Sequence, residues 1–370
     1  MFERLIDHHC HGVSPANLDP PGFSALMSEA HKPHSAFFGS QFDKPLGLAI
    51  RRWCAPVLGL EAFASPQDYV ARRQALGAEE ANRRLLRAAG VTAMLIDTGH
   101  RAGDILDCAG MAAASGVPCP EVVRIEAVME AHADAGGPVD SYPDRLAERA
   151  EKAVGLKSIV AYRAAFDLDP ARPGSAEVRS AWSRWLEKRA TTGPRRLEDP
   201  VLLRFALWCA LDLAAPAALP LQLHVGFGDR DIFMQRCDPT IFTPFIAEAE
   251  EAGVPITLLH CYPFEREAGW LAEVYSNVFL DVGAVLNFTG PSAIRVLSDA
   301  MEMAPFSKLL YSSDAFGLAE LHHLGRLQFE TALRTILDRW VAGGSATRAD
   351  ADHIAGLIAF GNAERIYRRF

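Results

Sequence analysis

The stretch Leu5-Ile6-Asp7-His8-His9-Cys10-His11-Gly12 sets the reading of this chain. Two apolar residues run into Asp7, and His9 and His11 follow with one residue between them. Side chains at i and i+2 of a strand share a face, so His9 and His11 point the same way, about 7 Å apart along the strand. His8 and Cys10 are expected on the opposite face. Two imidazoles on one face at a strand end make half a site for Zn²⁺ or a similar divalent ion. An H-x-H pair alone is as readily a surface or core pair. The reading therefore depends on what ends the later strands.

From residue 219 onward, strands and helices alternate regularly. A strand over 219–224 ends in His224-Val225-Gly226-Phe227-Gly228-Asp229. Helix 244–252 leads to a strand over 255–260 ending in His260-Cys261-Tyr262-Pro263. Helix 268–275 precedes a strand over 278–281 ending in Asp281. Helix 291–303 precedes a strand over 309–313 ending in Asp314, and a helix over 349–367 closes the chain. Upstream, strands are predicted over 91–96 (ending Asp97-Thr98-Gly99-His100), over 122–128 with Arg124 and Glu126, and over 155–163. Helices are predicted over 105–115, 144–153, 176–190 and 200–214. This alternation argues for a parallel sheet, and the number of units for a closed α/β barrel, the (β/α)8 TIM-type fold.

Residues 13–90 read as a long loop and helical insertion after the first strand. Up to about residue 51 the segment is rich in Pro, Gly, Ser and aromatics, a lid with short helices. Ser65 then caps a helix with Pro66 at its first position, and Gly90 ends the next. The expectation is one barrel domain over 1–370.

The net charge is −9 with both signs interspersed, and no basic patch marks a nucleic-acid partner. The seven cysteines are unpatterned and read as reduced thiols. Cys10 and Cys261 each adjoin a candidate ligand histidine. They read as small apolar filler, with thiolate ligation the alternative. No stretch reaches the ~18–20 uninterrupted apolar residues of a membrane span, because Asp212 interrupts the closest. The first strand begins almost at residue 4 and leaves no room for a signal peptide, so a cytoplasmic protein is expected.

Strand C-termini of such a barrel converge on one site. They bring together His9, His11, His224, His260 and Asp314. Three histidines and a carboxylate around a divalent metal leave a position for water, as in a catalytic rather than a structural centre. A bound metal lowers the pKa of water towards ~7 and polarises a carbonyl. Asp314 can ligate and accept the water proton. His260 can hold the water or protonate the leaving group.

This pattern resembles the amidohydrolase superfamily of metal-dependent barrels, in its amidohydrolase-2 branch. The match runs through His9, His11, His224, His260, Asp314 and the closing Gly361-Asn362-Ala363-Glu364-Arg365-Ile366-Tyr367. Residues 156–163 and 221–229 resemble the amidohydrolase module that plants and fungi carry fused to a glutamine-synthetase-like domain. These 370 residues hold no counterpart of the synthetase part. The resemblance implies hydrolysis of a C–N bond, with a γ-glutamyl or similar amide as substrate. Many relatives with two metals use a carboxylated lysine. Lys157 is the nearest candidate, but the five strand residues expected after it place it below the mouth. One metal is therefore expected on His9, His11, His224 and Asp314, most simply Zn, with Mn or Fe as alternatives.

Arg163 sits where a guanidinium can clamp a substrate carboxylate or pair within the rim. Tyr162 is core or pocket. Asp229 and Asp231 can bind a substrate ammonium or cap their loop. His100 reaches the site or caps its strand. Asp97, Glu126 and Asp281 are candidates to support the ligands or to pair on the rim. His322 and His323 read as a surface pair. The competing functions are a metal-dependent decarboxylase of an unsaturated or aromatic acid and a non-catalytic binding barrel. The expected partner is a small molecule, and a homodimer is the prior for such enzymes.

Overall fold

The computed structural model describes residues 2–193 and 195–368. Seven parallel strands pair in sequence order: β1 (Ile6–Cys10), β2 (Ala93–Asp97), β3 (Glu121–Arg124), β4 (Gly155–Ser158), β5 (Leu221–His224), β6 (Ile256–Leu259) and β7 (Val278–Leu280). Segment 309–314 lies between β7 and β1. Its Leu310 N–H donates to Leu280 O at 2.9 Å, His8 N–H donates to Tyr311 O at 3.1 Å, and Asp314 N–H donates to His9 O at 3.1 Å. It fills the place of an eighth strand in a TIM-like α/β fold.

The strands are short apolar runs, almost wholly buried, as expected where helices cover a parallel sheet. The helices begin where the sequence caps them. Ser65 accepts from Asp68 N–H ahead of helix Pro66–Leu76, and Asp199 caps helix Pro200–Ala217. The latter has 18 residues and a mean hydropathy of 1.4, long and apolar enough to cross a membrane by length and composition. Half of it is buried, against β4, β5 and helix Ile125–Asp134.

Between β1 and β2 the chain builds short helical turns and the helices Pro66–Leu76 and Ala78–Ala89. A buried ion pair ties this segment to helix Ala319–Ala342. Arg73 Nε lies 2.8 Å from Glu320 Oε1, which also accepts from Tyr69 Oη at 2.9 Å. At the barrel base, Tyr367 and helix Asn362–Ile366 pack against Ile6, Leu95, Val122 and Phe279.

Several elements differ from expectation. The strand over 122–128 stops at Arg124, and helix Ile125–Asp134 starts at once. The strand over 155–163 stops at Ser158, and Val160–Arg163 form one helical turn. Glu126 explains both ends. From the new helix its Oε1 accepts from Ser158 Oγ (2.6 Å) and Ile159 N–H (3.0 Å), which removes that donor from the ladder. The closing helix over 349–367 is interrupted by a wide turn at Leu357–Gly361.

The pairing of β1 with β2 also breaks register. Asp7 pairs with Met94 and Cys10 with Ile96, three steps against two. The extra residue is a bulge, and it corrects the expected facing of His8. His8 turns inward, its Nε2 2.9 Å from Asp281 Oδ2 and its Nδ1 2.8 Å from Tyr367 Oη. Asp7 and Cys10 fall together on the outer side.

Candidate metal centre

The bulged end of β1 delivers two imidazoles to the barrel mouth. His9 Nδ1 lies 2.8 Å from Gln222 Oε1. The Gln222 amide donates to His8 O (2.9 Å) and Tyr367 Oη (2.8 Å), so its oxygen faces His9 as an acceptor. His11 Nδ1 lies 3.0 Å from the carbonyl oxygen of Asp97. Both Nδ1 atoms must then carry the proton, and both Nε2 atoms present a lone pair. Those lone pairs face Asp314 Oδ1, at 3.1 Å from His9 and 3.5 Å from His11. Burial, then the Lys157 charge, pushes the His9 pKa down to about 3, so this imidazole is neutral. Two lone pairs aimed at a carboxylate repel it unless a cation sits among them. The donor set therefore fits a divalent metal.

The other two histidines complete the ring. His260 Nε2 is 3.6 Å from Asp314 Oδ2, and the His224 and His260 rings are 4.7 Å apart. His224 Nε2 is buried without a hydrogen-bond partner. Burial also lowers the pKa of both rings. For Asp314, burial pushes upward, but the neighbouring His260, His11 and His9 side chains outweigh it and hold the carboxyl well below its usual range.

Backbone strain is concentrated here. His260 (φ 70°), Cys261 (φ 59°) and Asp314 (φ 45°) occupy the left-handed region without being glycine. Asp281 sustains the first of these. Its Oδ1 accepts from His260 N–H (3.0 Å), Gly283 N–H (2.6 Å) and Ser312 Oγ (2.9 Å), while Oδ2 faces His8. A Cβ at Gly283 would lie 1.9 Å from Ser312 Oγ, so only glycine fits this turn. Asp97 uses its carboxylate on Arg124 (2.6 Å) and its carbonyl on His11. Burial pushes its pKa upward, but Arg124 and the nearby histidines outweigh that and hold it low.

The residues converge on a cavity of about 160 Å³, which shares its lining with an outer cavity of about 750 Å³. All four predicted substrate contacts line the inner cavity. The Tyr162 ring lies 4.6 Å from the His224 ring, and its hydroxyl accepts from Asp229 N–H at 3.4 Å. His100 stands 5.6 Å from the His11 ring and 4.7 Å from Phe316. Arg163 reaches Glu130 at only 3.5 Å, leaving Nε and Nη1 buried and without partners. Asp231 is turned to solvent against Arg196 at 2.7 Å.

Two expectations are corrected. Lys157 does not lie below the mouth. With β4 ending one residue later, its buried, unpartnered Nζ lines the cavity. Burial pushes its pKa down to about 8. His322 and His323 are not a surface pair, since both are buried in helix Ala319–Ala342. Gln222, Tyr367 and Glu29 also belong to the site, and the sequence alone assigns none of them a role there. Gln222 alternates with leucines in β5, and only its buried polarity marks it.

A parallel barrel whose strand ends gather four imidazoles and a carboxylate in a small polar cavity defines an α/β barrel protein with a candidate divalent-metal centre. The chain belongs to the amidohydrolase family, whose model matches residues 6–369. It is 35% identical over 223 residues to Protein fluG of Emericella nidulans; the match covers 58% of this chain and only 25% of that protein. A Lactobacillus casei protein proposed to be a metal-dependent hydrolase superposes with a TM-score of 0.82 at 25% identity, covering 99% of this chain and 95% of that one. The Caulobacter crescentus glucuronate isomerase gives a TM-score of 0.67 at 15% identity, covering 99% and 91%, and shares the fold alone.

Proposed function

We propose that this chain is a metal-dependent hydrolase of a C–N bond, with γ-glutamyl amides as the first substrate class. The observation that carries it is the pair of lone pairs, on His9 Nε2 and His11 Nε2, facing Asp314 beside His224 and His260. Held by His9, His11, His224 and Asp314, a divalent ion, most simply Zn, would supply Lewis acidity and an acidified water.

The chain's own groups do the rest. Asp314, kept ionised, accepts the proton of the attacking water. His260, its backbone fixed by Asp281 and its Nε2 3.6 Å from Asp314 Oδ2, takes up that proton and hands it on to the departing amine nitrogen, which returns the imidazole to its neutral form. The unpartnered Arg163 nitrogens bind a substrate carboxylate. Asp229 and Glu29 line the same cavity and suit an ammonium group. The match to the amidohydrolase family supports an amide substrate only by association.

Arg163 would equally serve a carboxylate lost as CO₂, which keeps the decarboxylase reading in view. One experiment separates them. The reconstituted protein is offered a panel of γ-glutamyl amides and of aromatic and unsaturated acids, and amine and CO₂ release are both measured. Amine release abolished by Asp314→Asn is expected. CO₂ release without amine would replace hydrolysis with decarboxylation.

A further inference from the structure

Behind β1, on the side away from the cavity, a second set of donors comes together. The β1 bulge places Asp7 and Cys10 on one side, although residues three apart in a regular strand face opposite ways. His322, from the first turn of helix Ala319–Ala342, meets them there. Ligand atoms of Asp7, Cys10 and His322 all lie within 4.8 Å of one another, and all three residues are 1% exposed or less. Both ring nitrogens of His322 are buried without a well-formed hydrogen bond, the His11 backbone offering only a weak one. The Tyr311 hydroxyl is also buried, without a hydrogen-bond partner, and it lies close enough to feel the Asp7 and Cys10 charges. A core imidazole with so little hydrogen bonding leaves a polar atom without a partner in an apolar setting.

We propose that Asp7, Cys10 and His322 form a second, structural metal site for a zinc-class divalent ion. The donor types suit that ion: one thiolate, one imidazole and one carboxylate. Carboxylate and thiolate balance the charge of M²⁺, so the buried site is neutral. Asp7 is already oriented, accepting from Ser313 N–H at 2.9 Å and Ser313 Oγ at 2.5 Å. The Cys10 thiol makes a weak contact to Leu95 O at 3.7 Å and also interacts with Asp7. The site joins β1, which carries His9 and His11, to the helix that follows Asp314. It thereby braces the catalytic ligands from behind. This assignment does not rest on the reaction proposed above, because the cavity's donor set contains no sulfur.

Sulfur is what the test reads. The full chain is produced and refolded with zinc, and zinc-edge X-ray absorption and metal stoichiometry are recorded for wild type, Asp314→Asn and Cys10→Ser. A zinc–sulfur shell at about 2.3 Å is expected in wild type and in Asp314→Asn. In Cys10→Ser the shell is lost along with one metal per chain. If Cys10→Ser fails to fold, cobalt-loaded wild type should still show a thiolate-to-cobalt charge-transfer band, weakened in His322→Gln. A folded, metal-saturated wild type with no sulfur shell overturns the proposal and assigns the space to a buried water. A sulfur shell that survives Cys10→Ser overturns it equally.

Discussion

At the residue scale, the candidate ligands stand out in the sequence because His and Asp at the polar ends of apolar strands have few other reasons to be there. The residues that aim them do not. Gln222 and Tyr367 look like neutral members of a strand and a closing helix, yet they fix the proton on His9 Nδ1 and so free its Nε2. Partners of this kind commonly change metal affinity by about 10–100-fold. Gln222→Ala should therefore weaken metal binding by about that factor while the protein stays folded, as read by competition with a chelator. Unchanged affinity would remove Gln222 from the site. Gly228 makes a second case: a Cβ there would sit 2.0 Å from Tyr162 Oη. Gly228→Ala should push Tyr162 off the His224 ring and raise KM more than it lowers kcat. Equal effects on both would contradict a substrate-facing Tyr162.

At the element scale, the βα rhythm was legible from periodicity, and strand lengths were not. Residues 125–128 and 159–163 are apolar enough to read as strand. The choice was made by Glu126, a long-range partner invisible in the local pattern. That error placed Lys157 too deep. The β1 bulge likewise carries no Gly or Pro to announce it, so His8 was assigned to the wrong side. The segment between β1 and β2 is held to the barrel by Arg73 and Glu320, both buried. Removing one partner of a buried pair typically costs about 3–5 kcal/mol. Glu320→Ala should lower the urea midpoint accordingly and loosen residues 66–89 to amide exchange. A midpoint within error of wild type would show that apolar packing alone docks this segment.

At the scale of the whole molecule, buried titratable groups set the acid stability. Burial lowers the pKa of six histidines: His9, His100 and His322 to about 3, with His224, His260 and His323 also lowered. Each stays neutral when folded but protonates near 6.5 when unfolded. Their contribution is therefore present above pH 6.5 and is lost as pH falls towards the folded values. Four carboxyls act oppositely. Asp7 and Glu265 are raised to about 7, mainly by burial, and Glu126 is raised too. Glu29 is also raised, to about 7, but its largely exposed side chain makes it contribute least. The histidines prevail, so the metal-free protein should lose stability between pH 7.5 and 5.5, read as a falling urea midpoint. A flat or rising midpoint would mean that the raised carboxyls outweigh the histidines, or that the histidines are protonated in the fold. The most direct test of the central claim is anomalous diffraction from crystals of zinc-reconstituted protein. The account predicts a metal peak among His9, His11 and Asp314, absent in Asp314→Asn. Fully loaded crystals with no peak at that position would contradict it.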